Sequence, residues 1–518
     1  MNRRILIGIV VAMVAAHAWL IVENLAMDGD TLRVAGQVVR TSGFRGSLVL
    51  FGPKVVLYAA QSPLLWLTAK AGAIVRPAWS PISASRLGAI LAIAAIAWLL
   101  AALAREAGAG PAGQCAAAVL PFCWHGFSFL AASCDDNVAT DALRLAAVLA
   151  AVRWLSVPPG GRRHLAVGGW LGAALCWHFQ SSLLIPAIAV AGVWGWRSGG
   201  AVRVRETVAA IAAGVAVWAA WTGVCVAAGR PPVPSLAALA TATVENHRDA
   251  SLWLLSSPRS LWAQPALVWE GWSRMVLGFG WLRPSGGGVA AGAAVALAAG
   301  LLGVSIALIR GTVLGRVIIP VLAIEIAHSL LYESESIERW DVPALLAGLA
   351  LVVAVRGAGP STPFGRSGRG LAAVGGILAV LLAVCNVTAY ARFVRDAEPA
   401  LLEVIAGRRA VPDLTLDCVG GHWRLCRAAR EFAAMIGPYD GFGGIVQGKA
   451  ADVYHQYWLT NWASIYLMCY APGFLDRPGM RTLSLCLLKS DPPGWRVVRR
   501  EGFVCLLEPA RPGRPQAP

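Results

Sequence analysis

Charge is scarce in this sequence. Only 14% of its 518 residues are Asp, Glu, Lys or Arg, against 57% hydrophobic. A soluble domain carries about 25% charged residues, so a soluble globular fold is excluded. A mean hydropathy of +0.62 places the chain among polytopic membrane proteins. Acids are scarcer than bases, 28 against 44, which leaves a net charge of +16. No zinc finger or other nucleic-acid module accompanies those bases. Nucleic acid is therefore not an expected partner, and the bases read first as topology signals. The 11 cysteines include no CxxC pair, which argues against a structural zinc site. Cys115, Cys123, Cys134, Cys176, Cys225 and Cys385 lie in or beside apolar segments, where cysteine packs as a small residue. Cys418, Cys426, Cys469, Cys486 and Cys505 lie in the polar C-terminal part, with room for one or two disulfides if that part is extracytoplasmic. Internal repeats of the kind that mark solenoids or inverted-repeat transporters are also lacking.

What the chain has in abundance is apolar runs. They fall at 5–22, 84–104, 115–133, 142–157, 165–178, 181–196, 207–228, 287–309, 317–332, 342–355 and 371–391, which predicts about eleven helices. The first run contains "AHA", similar to a signal-peptide cleavage site, but "WLIV" continues it towards the ~20 residues of a spanning helix. An uncleaved first helix is expected. Residues 23–83 follow as a long outer loop, whose stretch "SLVLFGPKVVLYAAQSPLLWLTAKAGAIV" is interrupted by Gly52, Pro53 and Pro63 and reads as interfacial helix. The Trp-rich segment 264–282, with Glu270 and Arg274, also reads as interfacial.

Sidedness follows from the arginines. With Arg3 and Arg4 inside, the other inside loops carry Arg105; Arg162 and Arg163; Arg197, Arg203 and Arg205; Arg310 and Arg316; and Arg356, Arg366 and Arg369. Every inside loop is then basic, as the positive-inside rule requires. The outside face receives "ENLAMDGD", "SCDDNVATD", "WHFQSS", a loop near 229–264 and "YESESIERWD". Residues 392–518 also fall outside, and their patterns ("TNWASIYLMCY", "TLSLCLLK" and the hairpin-like "GWRVVRREGFVCLLEP" as strands, "CRAAREFAAMIG" as a helix) predict a small α+β domain. The fold class expected is mainly α: a polytopic transmembrane bundle over 1–391 with an extracytoplasmic α+β domain over 392–518.

Three separate outer loops bring carboxylates to one membrane face: Asp28 and Asp30; Asp135, Asp136 and Asp141; and Glu333, Glu335, Glu338 and Asp341. An enzyme that moves a sugar from a polyprenyl-phosphate carrier needs such a face. Its donor lies in the bilayer with the head at the surface. The acceptor hydroxyl needs a base, which a carboxylate can supply. The departing phosphate needs a cation. Bland readings stand beside these. Asp30 could cap the helix "TLRVAGQVV", Asp135 and Asp136 could cap the helix that follows, His178 could be a packed histidine, and Arg339 could pair with Glu338 or Asp341 at the surface.

The order of features resembles the GT-C superfamily of polytopic glycosyltransferases, which includes protein O-mannosyltransferases and lipid A aminoarabinose transferases. The motif "DGDTLRVAGQVV" is similar to that family's first-outer-loop acid, with Asp30 at the matching position and Thr31 where a Glu often follows. "YAAQSPLLWLTAKAG" resembles the segment ahead of helix two, "SCDDNVATDALRL" the acidic second outer loop, and "GGWLGAALCWHFQSSLLIP" the Gly-rich helix with its polar outer turn. "IERWDVPALL" is similar to a later "ERY..P" pattern, with Trp340 in place of Tyr.

The resemblance implies a GT-C-like fold and inverting transfer of a sugar from a polyprenyl-phosphate donor to a lipid, glycan or protein acceptor, at the outer face of a bacterial inner membrane. It implies Asp30 as base, with Asp28 in reserve. Asp135 and Asp136 would orient the acceptor or hold a divalent cation, Mg or Mn, although no convincing ligand set is seen. Arg339, helped by Lys54 or Lys70, would hold the carrier phosphate, and His178 and Gln180 would line the donor pocket. Three alternatives stand beside it: a secondary transporter, a glycan polymerase or ligase, and a non-catalytic GT-C-like protein. The transporter reading is disfavoured here because the acids are expected at helix ends rather than at helix centres.

Overall fold

The computed structural model describes residues 3–23, 86–132, 136–194, 196–229, 309–331 and 339–357, single helical positions within 64–74, 268–275, 302–306 and 381–388, and four strands between 442 and 509. Among the described residues, ten α-helices are defined in chain order: α1 (Arg3–Glu23), α2 (Arg86–Glu106), α3 (Pro111–Cys123), α4 (His125–Ala132), α5 (Asp136–Leu155), α6 (Arg163–Trp177), α7 (Leu184–Trp194), α8 (Trp196–Gly229), α9 (Val313–Leu331) and α10 (Asp341–Gly357). A 3-10 turn, Phe179–Leu183, joins α6 to α7. The helices expected over 287–309 and 371–391 lie largely outside the described residues, as do the helix expected from "CRAAREFAAMIG" and the strand expected from "TNWASIYLMCY". The described part is a mainly helical multi-pass bundle. Leu87–Glu106, Gly200–Cys225 and Val313–Leu330 are each long and apolar enough to cross a membrane.

The core forms around α2, which packs on α3 and α5. Its buried Ile93, Ile96, Leu100 and Leu103 recur at alternating spacings of three and four, which lines them along one helical stripe. The helix ends where the sequence changes chemistry. Gly108 takes φ +80. Its N–H donates to Arg105 O at 2.9 Å, and the Ala109 N–H donates to Ala104 O at 2.9 Å. These two bonds form the Schellman closure that a C-terminal glycine permits. Pro111 then opens α3 at its first turn, where its missing N–H costs nothing.

One long helix was expected over 115–133, and two are found. Pro121 lies inside α3, and Trp124 is extended at φ −89, ψ 117 before α4 begins. Pro121 removes the donor that would bond the carbonyl four residues back, which weakens the last full turn of α3, and the helix ends two residues beyond it. The break presents Ser128 of α4 to α1. His17 Nδ1–H donates to Met13 O at 3.0 Å, which leaves Nε2 of the neutral ring to accept from the Ser128 hydroxyl at 3.0 Å. Both residues are buried, and the imidazole lies 4.4 Å from the Phe122 ring centre.

Helices α6 and α8 press together along glycines. A Cβ on Gly168 would meet Ala210 O at 2.6 Å and Ala213 Cβ at 2.7 Å, and one on Gly172 would meet Val217 Cβ at 2.6 Å. In a bilayer, close backbone approach through small residues drives helix association. Gly168→Ala is therefore expected to lower the unfolding temperature in detergent, by an overpacking cost of about 1–3 kcal/mol. A Cβ on the neighbouring Gly169 meets nothing within 4 Å, so Gly169→Ala serves as the control. Equal effects at the two positions would refute the seam.

A polar clamp joins the α5–α6 connection to the start of α8. The Arg203 guanidinium donates to Glu206 Oε2 at 2.9 Å and to Val157 O at 2.6 Å. Glu206 also accepts from Trp154 Nε1–H at 2.8 Å and from the Gly160 N–H at 2.6 Å. Gly160 adopts φ +104 to bring its N–H there, and Gly200, at φ +54, breaks α8 one turn before Arg203.

Four strands make a sheet ordered β1 (Phe442–Gln447), β2 (Thr482–Cys486), β4 (Val504–Pro509), β3 (Trp495–Glu501). The hairpin expected from "GWRVVRREGFVCLLEP" is found as antiparallel β3 and β4, with Trp495 opposite Pro509 and Glu501 opposite Val504. β2 matches the start of "TLSLCLLK". β1, parallel to β2, has no counterpart among the strands expected from sequence.

Candidate functional site

The end of the bundle where α5 and α10 begin and α6 and α9 finish holds a concentrated set of charges. From α5 come Asp141 and Arg144, one turn apart. From α9 come Glu325 and, one turn on, Ser329. The 3-10 turn after α6 supplies Gln180, and the residues opening α10 supply Arg339, Trp340 and Asp341. Asp141, Arg144, Glu325 and Asp341 are each at most 3% exposed. Charges survive such burial only when paired.

Pairing is what the geometry provides. Arg144 Nη2 meets Glu325 Oε1 in a direct ion pair between α5 and α9. Arg144 Nη1 lies 3.8 Å from Asp141 Oδ1. Asp141 in turn shares a side-chain hydrogen bond with Asp341, so the three acids of three helices are linked through Arg144 and Asp141. Arg339 sits just above, half-buried, and its Nη1 donates to Gln180 Oε1 at 2.9 Å. Gln180 is fixed in turn by its backbone N–H, which donates to His178 Nδ1 at 3.1 Å. The Ser329 hydroxyl donates to Arg339 O, 2.6 Å away, with its own helix's Glu325 O at 2.8 Å as the competing acceptor. Asp341 Oδ1 accepts from the adjacent Val342 N–H at 2.6 Å, at the first residue of α10. Trp340 is buried with its ring 5.8 Å from that of Trp272, edge to face.

The expected site residues divide into two groups. His178, Gln180 and Arg339 come together as a hydrogen-bonded chain. Asp136 is the first residue of α5. Asp28, Asp30, Lys54, Lys70 and Asp135 lie outside the described residues. Arg339 is not tied to Asp341 at the surface, because Asp341 is buried. The segment expected at the interface over 264–282 contributes Trp272 and the buried Met275 to the packed core. Among the described residues, no three His, Cys, Asp or Glu side chains come together in a way that could hold a metal ion.

Sequence reasoning missed the Arg144–Glu325 pair. Glu325 stands six residues before the end of α9, roughly 9 Å inside it. The acids are therefore not confined to helix ends, and the argument that set a transporter aside on that ground does not hold for Glu325. The signal was present: an acid inside "VIIPVLAIEIAHSLL" and a base inside "DALRLAAVLAAV". An ionisable residue in an apolar span is a functional candidate that needs a partner, and each of these two is the other's.

No family model matches the sequence, and no curated protein matches it. The fold does match solved structures. The crystal structure of ArnT from Cupriavidus metallidurans bound to undecaprenyl phosphate superposes with a TM-score of 0.54 at 11% sequence identity, covering 98% of this chain and 99% of that one. The same protein in the apo state gives a TM-score of 0.45 at 11% identity, covering 97% of each chain. This chain is therefore similar in fold to that ArnT.

Proposed function

We propose that the protein is a membrane glycosyltransferase that moves a sugar from a polyprenyl-phosphate carrier to an acceptor on the outer side of a bacterial inner membrane. The single observation that carries this reading is the near-complete fold match to a transferase crystallised with undecaprenyl phosphate. The half-buried Arg339 guanidinium, presented among helix ends by Gln180, supports it as the chemistry such a donor requires. The N-terminus is cytoplasmic in this reading, and residues 392–518 face outward with the acids.

The reaction is an inverting displacement. Asp30, or Asp28 in its place, takes the acceptor hydroxyl proton. The acceptor oxygen bonds to sugar C1 as the bond from C1 to the phosphate oxygen breaks, and polyprenyl phosphate leaves with the electron pair. Arg339, helped by Lys54 or Lys70, neutralises the charge that develops on the phosphate. Asp135 and Asp136 orient the acceptor, which is a lipid, glycan or protein, and His178 and Gln180 line the donor side.

In sealed right-side-out vesicles, labelled sugar is expected to pass from added polyprenyl-phosphate donor to an acceptor supplied outside. Arg339→Gln is expected to slow transfer about 100- to 1,000-fold, the usual loss when a group stabilising developing negative charge is removed. Transfer only to acceptor inside the vesicles would overturn the sidedness. No transfer on either side, with no carrier binding, would overturn the reading. A secondary transporter would then take its place, a role the Arg144–Glu325 pair within the helices would suit.

A further inference from the structure

The charged cluster holds more than the proposed reaction uses. Arg339 needs only a guanidinium and a partner to fix it, yet beneath it lie three acids and a second arginine. Burying those charges is costly, and well-packed apolar residues in their place are often as stable. What an ion pair supplies and an apolar contact does not is a fixed register between elements.

The geometry points to Arg144 and Glu325 as positioning residues for Arg339, a role that rests on the reading just proposed and assigns its donor site a foundation. The residues 339–341 are gripped on two sides by this one cluster. On one side the Ser329 hydroxyl donates to Arg339 O at 2.6 Å, and Ser329 stands one turn beyond Glu325 on α9. On the other side Asp341, two residues beyond Arg339, shares a side-chain hydrogen bond with Asp141, which Arg144 faces at 3.8 Å while pairing with Glu325. Arg144 thus ties α9 to α5, and Asp141 beside it on α5 shares a side-chain hydrogen bond with Asp341 at the start of α10, two residues beyond Arg339. Trp340 between them is buried against Trp272, so the segment has little freedom to turn once its flanks are held. Neither Arg144 nor Glu325 touches substrate in this arrangement. Both act through the backbone that carries Arg339.

The test removes the pair as a unit. Single substitutions strand a buried charge, so the informative protein is Arg144→Met combined with Glu325→Met, in nanodiscs. Two quantities are read: hydrogen exchange at the backbone amides of residues 340–344, and affinity for undecaprenyl phosphate. The double variant is expected to exchange at those amides at least tenfold faster and to bind undecaprenyl phosphate at least tenfold more weakly. The control is Arg203→Met with Glu206→Met, which removes a buried pair far along the bundle and should leave both quantities unchanged. A folded Arg144/Glu325 double variant with wild-type exchange at 340–344 would overturn the proposal. So would a control that loosens those amides equally, since the effect would then be general softening. If wild type binds no undecaprenyl phosphate while the exchange result is as expected, the transferase reading falls and the positioning role remains. Should the double variant not fold, Arg144→Lys takes the same measurement, because an ammonium keeps the charge but lacks the fork that reaches two acids at once.

Discussion

Asp30→Asn is expected to reduce sugar transfer by about 100- to 10,000-fold, the range spanned by loss of a general base, while leaving carrier binding at the wild-type level. The substitution keeps the shape of the side chain and its ability to accept a hydrogen bond, and removes only its ability to take the acceptor proton. It therefore separates a catalytic acid from a helix cap, because Asn caps helices as well as Asp does. Asp28→Asn, two residues earlier in "DGD", is the internal comparison. A large loss at Asp30 alone names the base. A large loss at Asp28 alone moves the role by two residues. Wild-type transfer in both variants would make the motif a turn, and the base would have to be sought in the second outer loop at Asp135 or Asp136.

Glu206→Ala is expected to destabilise the protein by about 3–5 kcal/mol, the cost of removing one member of a buried ion pair. The number follows from what is left behind. Arg203 is 3% exposed and would keep no anionic partner in the clamp, only Val157 O at 2.6 Å, Trp154 O at 3.3 Å and the Trp154 ring face at 5.1 Å. The Trp154 indole N–H and the Gly160 N–H would both lose their acceptor. The Arg153–Glu106 pair offers the contrast. Its N···O distance is also 2.9 Å, but its side chains are 37% and 26% exposed. Glu106→Ala should therefore cost no more than about 1 kcal/mol, as surface ion pairs do. Thermal unfolding of both variants in one detergent decides the matter. A similar shift for the two would mean that burial is not what gives the clamp its weight.

Much of the bundle was legible because apolar runs and arginines carry the signal directly. The run 84–104 became α2 at Arg86–Glu106, and 342–355 became α10 at Asp341–Gly357. The hairpin was legible because seven strand residues of "WRVVRRE" are followed, two residues on, by a second apolar strand. The break at Trp124 was less so, since mean apolarity is indifferent to where Pro121 interrupts the hydrogen bonds. Within the site, the resemblance singled out His178, Gln180 and Arg339 on outer turns, and the structure links these three in one hydrogen-bonded chain. Arg144 and Glu325 were not found, because which helix faces which is a property of packing: residues far apart in sequence had to be brought side by side before either charge made sense.

That pairing has a consequence for how the protein is made. Glu325 follows Arg144 by 181 residues, so at about 5–20 residues per second its partner emerges from the ribosome roughly 10–35 s later. Through that interval α5 must reside in or beside the translocation machinery with a guanidinium in its span, a group that costs about 2.5–3.5 kcal/mol at the centre of a helix during insertion. Asp141 lies one turn before Arg144 on the same helix, and a carboxylate there serves as a provisional counter-ion from the moment the helix winds. The cluster can thus be assembled in the order of synthesis, with a local pair formed first and its long-range partner added when α9 arrives.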